Sequence, residues 1–351
     1  MSKKLLFLES FYGGSHKDFA DGWIKHSVHD IELCTLPSCH WKWRLRAAAL
    51  HFMNVVTPDK YEAIICTSMM SISELKNRWK RPIFLYMHES QLSYPLPKNS
   101  GVDHHGIHID FNNCLAADWL VFNSQTHLDT FIGHIARYFE RAPEYPPQWI
   151  SEEIKTKAQV LHPGCQLQRY TKKTKNKRPV IVWNHRWEFD KNPQEFFAAL
   201  EEVDLKNSCF DLVLLGECGQ SVPKLFLAAQ KKWGDRILHY GFVNSKKEYI
   251  SWLQQSDLVI STAIQENFGI SIVEAIYYGC FPIVPARLSY PEVLPQKYHH
   301  KCLYEDFDDL VAKIILFLED YEEYETIRGG LSQSMFKYSW SSTISKYDAI
   351  F

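Results

Sequence analysis

Apolar residues fall into short unbroken runs, separated by longer stretches in which they recur every three or four positions. Residues 5–9, 63–67, 83–88 and 119–123 are runs of the first kind, and 31–36 is a further candidate strand. A run that is apolar on both faces is the pattern of a strand buried within a parallel sheet. Helical spacing predicts helices over 17–26, 45–56, 107–117 and 126–139, and this alternation describes one doubly wound unit. After a further strand at 160–162, the basic stretch 169–178 has no periodicity and reads as a linker. A second unit follows, with strands at 179–183, 211–216, 237–241, 257–262 and 282–285. Trp340, Ile344, Tyr347 and Phe351 then share one face of a final helix. The expected organisation is a first unit over 1–168, a second over 169–337 and a closing segment over 338–351.

The 351 residues, 46% of them hydrophobic, suffice to fill two cores. Net charge −2 and a pI near 6.8 give no global signature of nucleic-acid or membrane binding, so a site for a polyanion has to be local. Nine cysteines without paired Cys-x-x-Cys spacing, and neither a signal peptide nor a long apolar span, point to a soluble protein of the reducing cytoplasm. Cys34, Cys39 and His40 lack a second pair of zinc ligands. His104, His105 and His108 have a spacing compatible with metal but read as surface or packing histidines, and no metal site is expected.

The chemistry concentrates at two strand-to-helix connections of the second unit. Glu266 follows the run 257–262, and Glu274 lies eight positions on, inside the helical pattern of Ile270, Val273, Ile276 and Tyr277. The N–H groups of Asn267, Phe268, Gly269 and Ile270 would open that helix at the carboxyl edge of the sheet, where open α/β folds bind ligands. Carboxylates accept hydrogen bonds from sugar hydroxyls and a helix amino end favours phosphate, so the pattern fits a sugar joined to a diphosphate. Arg186 and Lys191 lie on the connection after the run 179–183. A guanidinium fork and an ammonium there would bind a diphosphate and stabilise the charge of its departure.

These segments resemble the retaining nucleotide-sugar glycosyltransferases of family 4. The resemblance implies the GT-B architecture: two Rossmann-like doubly wound α/β domains facing a central cleft, with a C-terminal helix crossing back to the first. It places Glu266 on the donor sugar, Glu274 on the ribose, and Arg186 with Lys191 on the diphosphate. His185-Arg186-Trp187 stands where the family usually has Gly-Arg-Leu.

The first unit would then hold the acceptor. Gly13 and Gly14 after the first strand permit close backbone approach to a ligand, assigned to the donor, or simply a tight turn. His16 is a helix cap or an acceptor group. His88 and Glu89 end another strand, where a histidine could orient an acceptor hydroxyl and a carboxylate polarise it, with Gln91 beside them. Residues 41–46 set Trp41, Lys42, Trp43, Arg44 and Arg46 at the start of a helix whose other face is Leu45, Ala49, Phe52 and Val56. Periodicity does not choose between a solvated face, a membrane-surface helix and a nucleic-acid contact. The motifs at 9–16, 36–44 and 88–95 together resemble the tRNA-queuosine mannosyltransferase family, with Ser90 where that family usually has Asn. The resemblance implies GDP-mannose as donor, the cyclopentenediol of queuosine in the anticodon of tRNA-Asp as acceptor, no metal and no stable membrane association. It makes Trp41 to Arg46, and Lys76, Arg78, Lys80 and Arg81, candidate tRNA contacts. A lipid-directed family 4 enzyme and a GT-B sugar-nucleotide epimerase are the alternatives.

Overall fold

The computed structural model describes residues 1–95, 101–168, 176–206, 209–219 and 221–351, so most of the expected linker lies outside the described residues. The chain divides into two compact units, Met1–Gln166 with Tyr338–Phe351, and Leu167–Lys337. In the first, β1 (Lys4–Tyr12), β2 (Asp30–Pro37), β3 (Ala63–Thr67), β4 (Ile83–Met87), β5 (Trp119–Phe122) and β6 (Ala158–Val160) form a parallel sheet in the order β2-β1-β3-β4-β5-β6. The second contains β7 (Val180–Asn184), β8 (Asp211–Leu215), β9 (Ile237–Gly241), β10 (Leu258–Ile260), β11 (Phe281–Pro285) and β12 (Leu303–Tyr304), also parallel, in the order β12-β11-β10-β7-β8-β9. Both sheets are doubly wound, as the unbroken apolar runs require. Every residue of β3, β4, β7, β8 and β11 is buried.

Two differences from the sequence reading have local causes. β10 is shorter than expected at both ends. Asp257 turns its carboxylate onto the Val180 N–H (2.9 Å) and Arg328 (2.9 Å), and the Thr262 hydroxyl donates to the carbonyls of Lys191 and Asn192. β12 and the helix Ile72–Trp79 were not anticipated. The first is two residues long, although Ile72, Leu75 and Trp79 do carry helical spacing and are buried.

The final helix, Trp340–Asp348, belongs to the first unit, as expected. Trp340 and Tyr347 join Phe7, Phe19, Trp23 and Tyr86 in one apolar cluster against the sheet. The Tyr347 hydroxyl donates to the His162 carbonyl at 2.8 Å. The indole of Trp340 occupies a slot that only glycines leave open: a Cβ on Gly22 would lie 1.9 Å from it and one on Gly164 2.2 Å.

Candidate active site

In the first unit the polar residues gather where β1, β3 and β4 end. Glu9 is a charged residue at the end of an otherwise apolar strand segment, and it is fully buried. Its Oε1 accepts from the Phe11 N–H at 2.9 Å; its Oε2 accepts from the Thr67 hydroxyl at 2.9 Å and faces His16 Nδ1 at 3.3 Å. The other ring nitrogen of His16, Nε2, faces Glu89 Oε2 at 3.3 Å, and Glu89 Oε1 accepts from the Ser68 hydroxyl at 3.2 Å. Burial opposes charge on His16, but the Glu9 and Glu89 carboxylates outweigh it and hold its pKa well above the ordinary value. An imidazolium donating from both nitrogens is the form that satisfies both carboxylates. Burial would raise Glu89 as well, yet the His16 charge and hydrogen bond bring it down to about 2.

His88 stacks beside this group, its ring centroid 4.3 Å from that of His16. Burial, and then the His16 charge, push His88 well below its ordinary pKa, so it is a neutral imidazole at pH 7. His127, hydrogen-bonded to Asn123 at 2.9 Å, is lowered by burial to about 4. The loop after β4 is held by Asp110, on the helix His104–Ala116, which accepts from the N–H groups of Gln91 (2.5 Å) and Leu92 (3.3 Å). Burial drives Asp110 up to about 8 against those hydrogen bonds. Glu9, His16 and His88 also offer ligand atoms within 4.8 Å of one another. The contacts of His16 with two carboxylates commit both of its ring nitrogens to a proton network.

In the second unit, β7 and β10 deliver the other cluster. Lys191 is almost enclosed and reaches the Gln265 carbonyl at 2.8 Å, Glu266 at 3.2 Å and Asp190 at 3.3 Å. Glu266 Oε1 accepts from the N–H groups of Gly269 (3.0 Å) and Phe268 (3.4 Å), so it braces the turn that leads into the helix Ile270–Tyr277. This corrects the expectation that all the amides of 267–270 face a ligand: two are turned onto Glu266. Ile270 and Ser271 remain in the first turn, where an α-helix has no acceptor of its own. Burial disfavours charge on Glu266, but Lys191 and the Phe268 amide outweigh it and lower its pKa. Asn184 Nδ2 donates to the Ser271 carbonyl at 2.8 Å, and His185 Nδ1 lies 3.3 Å from the Ser271 hydroxyl. His185 is buried and, through that burial and the nearby Lys191, falls to about 3. Glu274 sits in the same helix, buried, with Lys246 at 2.5 Å. Arg186 is exposed and pairs with Glu188 at 3.1 Å.

The remaining candidates are dispersed. Gly13 is extended and in tight contact with Ser38, while Gly14 has φ +50° at the helix start. The helix Trp41–Val55 buries Leu45, Ala49 and Phe52 and leaves Trp43 65% exposed beside Lys42. Arg44 bonds the Pro37 carbonyl at 3.3 Å. Arg46 is consumed internally, by Asp103 at 2.7 and 2.9 Å, His105 at 3.0 Å and the Lys42 carbonyl at 2.9 Å. Lys76 pairs with Asp118, and Arg81 bonds the Asp59 carbonyl at 3.0 Å. Both precede β4, at the edge of the sheet opposite His88 and Glu89. His104 and His108 share the Tyr138 hydroxyl at 3.0 and 3.3 Å.

A family model described as tRNA-queuosine alpha-mannosyltransferase N-terminal matches residues 4–165, and one described as glycosyl transferases group 1 matches 167–329. A tRNA-queuosine alpha-mannosyltransferase of Drosophila melanogaster is 32% identical, over 89% of this chain and 86% of its own. The chain belongs to the tRNA-queuosine alpha-mannosyltransferase family. It is a glycosyltransferase, and the GT-B fold agrees. Anabaena HepE, solved with UDP and glucose, superposes with a TM-score of 0.72 at 16% identity, covering 99% of each chain. Sucrose-phosphate synthase from Thermosynechococcus elongatus gives 0.77 at 12% identity, covering 99% of this chain and 98% of its own. Among the described residues no helix is long and apolar enough to cross a membrane.

Sequence reasoning did not single out Glu9, Asp110, Asn184 or Asp190. For Glu9 the signal was present: a carboxylate in the buried run of β1 demands a partner. The others meet their partners only through the fold.

Proposed function

We propose that this enzyme transfers mannose from GDP-mannose to a hydroxyl of the queuosine cyclopentenediol at the wobble position of tRNA-Asp, with retention and without metal. The observation that carries the reading is the identity with the fruit-fly enzyme across both units. The two charged clusters are what such a reaction needs. The acceptor oxygen forms a bond to the sugar's C1 as the bond from C1 to the phosphate oxygen breaks. The hydroxyl proton passes to the departing phosphate oxygen on the same face. Lys191 and Arg186 stabilise the diphosphate as it leaves, together with the first-turn amides of the helix Ile270–Tyr277. Glu266 accepts from the mannose hydroxyls and Glu274 from the ribose. Neutral His88 accepts from the neighbouring hydroxyl of the diol and so orients the attacking one. Lys42, Trp43 and Arg44 engage the tRNA.

The test is mass spectrometry of nucleosides from queuosine-containing tRNA incubated with the enzyme and GDP-mannose, with and without EDTA. A hexose added to queuosine in both samples is expected. Hexose transfer only to lipid, or sugar-nucleotide turnover without any acceptor, refutes the reading; loss with EDTA that a divalent ion restores refutes metal independence.

A further inference from the structure

In the first unit two carboxylates bracket one imidazolium, which among the described residues leaves one negative charge in excess. Glu9 is sealed in, its oxygens taken by Phe11, Thr67 and His16. The Glu89 side chain retains 28% exposure, so the excess charge is presented there. Among the described residues the titratable groups that interact with Glu89 are His16, His88, His127 and Asp110, with Glu9 on the far side of His16. Of these His16 alone is cationic. A polyanionic RNA backbone is repelled by such a site, so its natural occupant is a cation carried on an otherwise anionic substrate.

Queuosine carries one: a secondary amine, protonated at neutral pH, joins its cyclopentenediol to the deazaguanine. We propose that Glu89 binds this ammonium and so makes the enzyme distinguish queuosine from unmodified guanosine. The inference rests on the acceptor assigned above and adds the group by which that acceptor is read. With the ammonium on Glu89, the diol beside it falls to the adjacent His88. Unmodified guanosine leaves the Glu89 charge unmatched.

Calorimetry with queuosine nucleoside and guanosine tests the interaction without turnover. The parent should prefer queuosine, and Glu89→Gln should lose that preference while binding GDP like the parent. In steady state, Glu89→Gln should raise KM for queuosine-tRNA about 10- to 100-fold, the size of a charge-assisted hydrogen bond, and Glu89→Asp should recover part of it. The parent KM should climb across the range where aliphatic amines deprotonate, about pH 8 to 10, and the Gln variant should lack that climb. The Glu89 charge helps to raise Asp110, so both profiles are recorded in an Asp110→Asn background, where their difference reports Glu89. A parent without preference for queuosine, or a Gln variant with the parent's KM or pH profile, overturns the inference. A parent that binds queuosine but transfers no mannose refutes the proposed function and leaves the ammonium site standing.

Discussion

Replacing Lys191 with alanine strips the counter-charge from two enclosed carboxylates at once. Asp190 is 1% exposed, neither of its oxygens has a hydrogen-bond partner among the described residues, and the Lys191 ammonium stands 3.3 Å away. Glu266, 18% exposed at the side chain, lies 3.2 Å from the same ammonium. Breaking a buried ion pair from one side costs about 3–5 kcal/mol, because the orphaned charge stays behind. For a unit the size of Leu167–Lys337, that lowers Tm by about 6–20 °C. Arg186→Ala removes a solvent-exposed pair with Glu188, worth about 0–1 kcal/mol, and should leave Tm within about 4 °C of the parent. Both should lose turnover. Differential scanning calorimetry of the two variants, and of Lys191→Ala combined with Asp190→Asn, separates the roles: the double variant should regain part of the lost Tm. A Lys191→Ala protein that melts with the parent would refute the claim that this lysine holds the site together as well as serving the diphosphate.

Glu274→Ala should weaken GDP binding by about 1.5–3 kcal/mol, the size of charge-assisted hydrogen bonds, read by calorimetry. Lys42→Gln with Arg44→Gln should weaken tRNA binding and flatten its logarithmic salt slope by roughly 0.7–0.9 for each phosphate no longer neutralised. Arg46→Gln should instead lower Tm, since its guanidinium is committed to Asp103; equal salt slopes in parent and double variant would reject this face. Asp110 has a folded pKa of about 8 against an ordinary 3.8, so the folded state keeps a proton that the unfolded chain gives up. Its contribution therefore declines as pH rises from about 4 to 8; Asp110→Asn should remove that decline and keep activity, while Asp110→Ala should impair the loop bearing His88 and Glu89, as melting and turnover across pH would show. Trp340→Ala should cost about 3–5 kcal/mol in denaturant titration.

The inner strands β3, β4, β7, β8 and β11 were legible because each is buried on both faces, a signal that needs no knowledge of partners. Helix ends were less so: the expected start at Leu45 is preceded by a full turn from Trp41, whose polar side faces solvent. The charged clusters divide in the same way. Lys191 and Glu266 could be placed from their strand-to-helix connections, but that Lys191 touches Glu266 depends on β7 and β10 lying side by side. Nothing in the periodicity tells a cation that is spent internally, such as Arg46, from one that is exposed, such as Lys42. That distinction comes from Asp103, 57 residues away.

The slot between Gly22 and Gly164 also governs the order in which the chain can be assembled. The indole that fills it leaves the ribosome only after the whole of Leu167–Lys337 has been made. Until then Phe19, Trp23 and Tyr86 lack the cover that Trp340 and Tyr347 provide, so the unit synthesised first is the one finished last. Domains ordinarily mature in order of synthesis. Here a nascent chain stalled anywhere in the second unit displays an open aromatic face, the kind of surface that chaperones hold and that aggregates form on.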